Sequence, residues 1–102
     1  MEDTLTHVVD ELTRRGYNEH FRVADGRLHV IGTGQRFEPE DVVIRGYYRF
    51  EGVSDPDDMA IVYAIETKSG VRGILVDAFG VYSDPLIGAA VQQMPILSKS
   101  AA

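Results

Sequence analysis

Leu5, Val8, Val9 and Leu12 recur at i, i+3, i+4 and i+7, which gathers them on one stripe of a helix. Asp3 or Thr4 stands where a cap belongs, Arg14 and Arg15 suit the negative end of the dipole, and Gly16 offers the left-handed stop. The pattern then changes period. In FRVADGRLHVI two short alternating segments flank Asp25-Gly26, a dipeptide that supplies the positive φ angles of a two-residue hairpin turn. GTGQRFEPEDV follows, with two glycines, a proline and three carboxylates, and predicts a loop with one helical turn near Pro39.

Val42 to Glu51, Met59 to Thr67 and Val71 to Phe79 are rich in β-branched and aromatic residues and predict three strands in an antiparallel meander. Asp84-Pro85 opens a second helix through LIGAAVQQM, with Leu86, Ala90, Val91 and Met94 on its stripe and Pro95 ending it. The expected fold is α+β: a five-stranded, mainly antiparallel sheet made of the N-terminal hairpin and the meander, with both helices on one face. A single domain over 1–95 and a frayed tail over 96–102 complete the organisation.

Register follows from the turns. With Ser69-Gly70 as a two-residue turn, Ile65 faces Ile74, Tyr63 faces Val76 and Ile61 faces Ala78. With Phe50 opposite Met59, Ile44 faces Ile65 and Tyr48 faces Ile61. One face is then solidly apolar, with Ile44, Tyr48, Phe50, Ile61, Tyr63, Ile65, Ile74 and Val76, and the two helices cover it. The other face carries Arg45, Tyr47 and Arg49 beside Ala60, Val62 and Ala64, and then Leu75, Asp77 and Phe79. The alanines make a shallow trough with Tyr47, Val62 and Asp77 in one row. Arg45 and Arg49, at i and i+4 on a strand face, form a candidate clamp for a small anion or an acidic peptide segment, with Tyr47 packing beside it and Asp77 opposing. Leu75, Phe79 and Val62, facing away from the helices, suggest burial against a second copy in a homo-oligomer.

Composition narrows the function. At 102 residues, 44% hydrophobic and 25% charged, the chain has the make-up of one soluble globular domain. A net charge of -6 and a pI near 4.9 oppose nucleic-acid binding, since each neutralised phosphate needs a cation. There is no cysteine, hence no disulfide or thiolate site, and neither a basic leader nor an apolar stretch of spanning length; the cytoplasm is the expected location and a membrane is not an expected partner.

Catalytic signatures are missing. Ser54-Asp55-Pro56-Asp57-Asp58 fits a type I turn, with an Asx bond at the first position and Pro setting φ at the second. Its carboxylates, with Glu51, could hold a divalent cation, but Ala60 occupies the position where an EF-hand loop requires glycine. His7 and His29 lack partners at metal spacing, and Ser54, Ser69 and Ser83 lack a neighbouring histidine or an elbow motif. Gly32-Thr33-Gly34 lacks the closing G-K-[ST] of a phosphate loop. No cofactor, metal or catalytic residue is expected.

The strings YYRFEGVSDPDDMAIVYAIE and GVRGILVDAFGVYSDP resemble those of a family of small, uncharacterised bacterial proteins of about this length. Its members show YRFEG-x-SDPDD, YAIE and G-x-LVDA-[YF]-G-x-Y, and the likeness runs from the helix ending RRGY to Pro85. The resemblance implies the helix, hairpin and meander order. Some members carry the label phosphoribosylpyrophosphate synthetase, which sets a nucleotide- or phosphoribosyl-handling enzyme as the alternative class. A non-catalytic binding or protein-interaction module is the expected function, with divalent-cation binding at SDPDD a second alternative.

Overall fold

The computed structural model describes residues 5–50, 60–78 and 85–96. Helix α1 runs Leu5–Arg14, followed by β1 (Glu19–Ala24), β2 (Arg27–Val30), β3 (Arg36–Phe37), a 3₁₀ turn at Pro39–Asp41, β4 (Val42–Phe50), β5 (Ala60–Thr67), β6 (Arg72–Ala78) and α2 (Pro85–Gln92). The fold is α+β, with one six-stranded mixed sheet in the order β3-β2-β1-β6-β5-β4.

Local chemistry accounts for the ends of these elements. Gly16, at φ 102°, closes α1 in a Schellman arrangement: the Tyr17 N–H donates to the Leu12 carbonyl at 3.0 Å and the Gly16 N–H to that of Thr13 at 3.1 Å. Tyr17, the residue beyond the glycine, packs back toward Leu12 in the same apolar cluster. The Asp25-Gly26 hairpin forms as expected, with φ of 54° and 73° and Ala24 opposite Arg27. His29 is half-buried there and its Nε2 donates to the Ala24 carbonyl at 3.1 Å, so it braces the hairpin rather than standing in solvent.

Three expectations about the architecture are corrected. A sixth strand exists, because Arg36 and Phe37 pair with His29 and Leu28 after a turn through Gly32 and Gly34, both at positive φ; two residues carry too little pattern to announce a strand. The sheet is not antiparallel throughout, since β1 and β6 pair in parallel, Glu19 with Gly73 and His20 with Ile74. The helices also cover different faces. Val8 and Leu12 of α1 pack with Val62, Ala64 and Ile74, whereas Ala90 of α2 and Met94 just past its end pack with Ile44, Ile65 and Leu75.

Each covered face is apolar, so β5 reads as a near-continuous hydrophobic run and not as an alternation. Val62 and Leu75, expected on an uncovered face, are buried under α1 and α2 respectively, so two of the three residues expected to face a second copy are already covered within the chain. On α2 the packed stripe is Ile87, Ala90 and Val91, continued past the helix end by Met94; Leu86, expected on it, is exposed. The chain also stays attached past Pro95: the Ile44 N–H donates to the Pro95 carbonyl at 2.8 Å and Ile96 bridges Ile44 in parallel, so residue 96 is paired and not frayed. The Asp3 or Thr4 cap, the SDPDD segment at 54–58, Phe79, Ser83, Asp84 and the tail over 97–102 lie outside the described residues. No helix among the described residues is long and apolar enough to cross a membrane.

Candidate functional site

Two backbone irregularities decide which side chains share a face. The first is the β5–β6 turn. Gly70 adopts φ 97° after Lys68 and Ser69, the Gly70 N–H donates to the Thr67 carbonyl at 3.0 Å, and the Thr67 N–H donates to the Val71 carbonyl at 2.8 Å. That is a three-residue turn with a left-handed glycine, and the Thr67 hydroxyl reinforces it by accepting from the Val71 N–H at 3.0 Å. The two-residue turn expected from the sequence would put Ile65 against Ile74. The actual turn puts it against Gly73, sets Tyr63 against Leu75 and sets Ile61 against Asp77. A slip of one residue exchanges the faces of β6.

The second irregularity is a β-bulge between Ile44 and Gly46, with Arg45 as the extra residue. Before it, Ile44 faces Ile65 as expected. After it, Tyr47 faces Tyr63, Tyr48 faces Val62 and Arg49 faces Ile61. Arg45 and Arg49 are therefore not a clamp. Arg49 lies on the α2 face with Tyr47, while Arg45 lies on the α1 face, where its Nε is 3.5 Å from Glu66 Oε1. Glu66 Oε2 is also 3.5 Å from the Nε of Arg72, whose guanidinium sits 5.7 Å from the Tyr17 ring centroid. These are half-exposed ion pairs, each worth at most about 1 kcal/mol.

The α2 face of β4 to β6 holds the rest of the expected set, together with one residue assigned from sequence to the opposite face. Tyr47 and Tyr63 pack at 6.5 Å between centroids, tilted by 49°. The Arg49 guanidinium lies 6.0 Å from the Tyr47 ring centroid, and Asp77 is only 9% exposed on the third strand. Tyr47 is 47% exposed and Tyr63 half-buried, so the pair forms a shelf with a wet outer lip and a dry inner wall. Tyr63 is the residue missed. The signal that could have found it is Lys68-Ser69-Gly70 itself, since glycine in third place suits a three-residue hairpin loop at least as well as a two-residue one.

Burial pushes the Tyr63 phenol above its ordinary range. The Asp77 carboxylate adds to that, Arg49 works against it, and Tyr47 contributes a smaller upward push. A phenol raised in the folded state contributes stability that is fully present below the unfolded value near 10 and is lost as pH rises through the raised folded value. Urea unfolding between pH 9 and 12 should therefore show stability falling over this range, with a shallower fall in Tyr63→Phe.

Charge is distributed unevenly along the chain. Seven of the sixteen carboxylates and one of the ten cations fall outside the described residues, so the described body carries nine of each and is neutral. An acidic partner is not repelled by that body as the net charge of the whole chain suggests. His7 is exposed on α1, and no three His, Asp or Glu side chains gather at metal-binding distance among the described residues. No family model, curated protein or solved structure matches this chain.

Proposed function

We propose that the chain is a non-catalytic, cytoplasmic binding module that recognises an extended, acidic peptide segment laid along the outer edge of β4, with Tyr47 and Arg49 as anchors. The observation that carries this reading is the bulge on an outermost strand: it turns Arg45 and Arg49 to opposite faces of β4. One small anion cannot reach both. An added strand alternates its side chains between the two faces, so carboxylates an odd number of positions apart meet Arg45 on one side and Arg49 on the other.

Further features agree with it. Pro95 and Ile96 already pair with Ile44, so this edge accepts a neighbouring strand, and beyond the bulge no described residue pairs with the outer side of β4. Tyrosine and arginine are the residue types that most often carry binding energy at interfaces.

The test uses an array of fluorescein-labelled octapeptides with two or three glutamates among β-branched residues, each paired with its glutamine analogue and read by fluorescence anisotropy. Saturable binding is expected for a subset of the acidic peptides, weakened about tenfold or more by Tyr47→Ala, by Arg49→Ala and by the glutamine analogue, with unchanged thermal melts. Binding that survives all three changes, or no binding across the array, overturns the reading.

A further inference from the structure

Helix α1 and β4 enclose a second site on the opposite side of the sheet. A cleft of about 230 Å³ opens there, lined by His7, Val8, Glu11, Leu12, Arg15 and Tyr48. The sequence builds it simply. His7, Glu11 and Arg15 are spaced four residues apart and form one polar stripe down the helix, beside the Val8 and Leu12 stripe that packs on the sheet. Tyr48 comes from the strand as the facing wall. Its hydroxyl lies over Gly46, 3.8 Å from where a Cβ would stand, so the glycine leaves the ring room to lie along the strand.

The cleft therefore has an apolar floor, a carboxylate and a guanidinium one helical turn apart, and a phenol hydroxyl opposite. Its volume suits roughly eight waters and falls below the several hundred Å³ typical of pockets for drug-sized ligands. Glu11 has its ion pair with Arg14, at 3.9 Å and well exposed, a contact weak enough to be exchanged for a ligand.

We infer that this cleft binds a small aliphatic zwitterion, a free α-amino acid, with its carboxylate on Arg15, its ammonium on Glu11 and its side chain on Val8 and Leu12. The order of charges matches the helix. Arg15 stands one residue past the end of α1 and Glu11 one turn earlier, so the two ends of the ligand lie along the axis, with Tyr48 as the facing wall. A plain anion would meet the Glu11 carboxylate, and a plain cation would meet Arg15; only a molecule carrying both charges satisfies both groups. The site lies on the opposite face of β4 from Tyr47 and Arg49.

The test is an amide NMR titration of the whole chain with each of the twenty free amino acids. The best binder is then compared with its deaminated and decarboxylated analogues. Saturable shifts confined to α1 and Tyr48 are expected with an aliphatic amino acid, with both analogues at least tenfold weaker. Arg15→Gln should abolish the preference over the amine analogue and Glu11→Gln the preference over the acid analogue. Both positions face solvent, and thermal melts verify that the variants fold. Shifts elsewhere, no shifts with any of the twenty, or equal binding of either analogue to the wild type overturns the inference.

Discussion

Leu75→Ala should destabilise the protein by about 2–5 kcal/mol, while its neighbour Val76→Ala should cost less than about 1 kcal/mol. Leu75 is 2% exposed and packs in the cluster under α2 with Ile44, Ile65 and Met94; Val76 is 42% exposed on the other face. Truncating the leucine removes about three methylene equivalents from water-free surroundings and leaves a cavity between a sheet and a helix, and neither wall collapses freely. Truncating the valine removes surface that water already reaches. The register expected from a two-residue turn reverses the order, making Val76 the core residue and Leu75 the surface one. Urea unfolding of both variants with equal m-values separates the two registers by several kcal/mol.

Gly73→Val should be the most damaging single substitution in the sheet, costing about 3 kcal/mol or more. A Cβ at position 73 would stand 2.5 Å from the Glu19 carbonyl oxygen and 2.7 Å from Cε2 of the Phe21 ring. Neither neighbour yields easily. Glu19 is paired with Gly73 across the parallel junction that joins the hairpin to the meander, and Phe21 is buried against Leu28 and Val30 with its ring edge-on to Phe37. Even alanine forces the strands apart where β1 and β6 meet, and valine adds two methyls to the same space. Gly73→Ala combined with Phe21→Leu relieves the ring contact and leaves the carbonyl contact, so the pair should recover part of the loss. A double-mutant cycle by thermal unfolding measures that coupling. A Gly73→Val protein as stable as wild type would mean that the two strands do not approach as described.

The elements with strong local signals were legible in the sequence. The α1 stripe ending at Gly16, the Asp25-Gly26 hairpin, the helical turn at Pro39 and the three long strands each rest on chemistry contained within a few residues. What escaped depends on partners far along the chain. Nothing near Glu19 or Gly73 announces that they pair in parallel, and Arg36-Phe37 is a strand only because β2 lies beside it. A pattern with apolar residues on both faces, as in β5, is equally compatible with two helices on one side or one on each.

The candidate site fared in proportion. Tyr47, Arg49 and Asp77 do share a face, but Tyr63 and Leu75 stand in the row of Tyr47 where Val62 and Asp77 were expected, and Asp77 lies in the row of Arg49 and Ile61, because the turn at Gly70 shifts β6 and the bulge at Arg45 shifts β4. Arg45 was lost from the set for the same reason. A bulge is invisible to alternation, since the extra residue looks like any other strand residue until its neighbour is known.

Everything proposed for the β4 edge rests on the register that places Tyr47, Tyr63 and Leu75 in one row and parts Arg45 from Arg49. Cross-strand nuclear Overhauser contacts measure that register directly. The expected spectrum shows side-chain contacts from Tyr63 to both Tyr47 and Leu75, and from Tyr48 to Val62, with Arg45 near Glu66 on the other face. Contacts from Tyr63 to Val76 and from Tyr48 to Ile61, with Arg45, Tyr47 and Arg49 together beside Val62, would contradict it and restore the clamp.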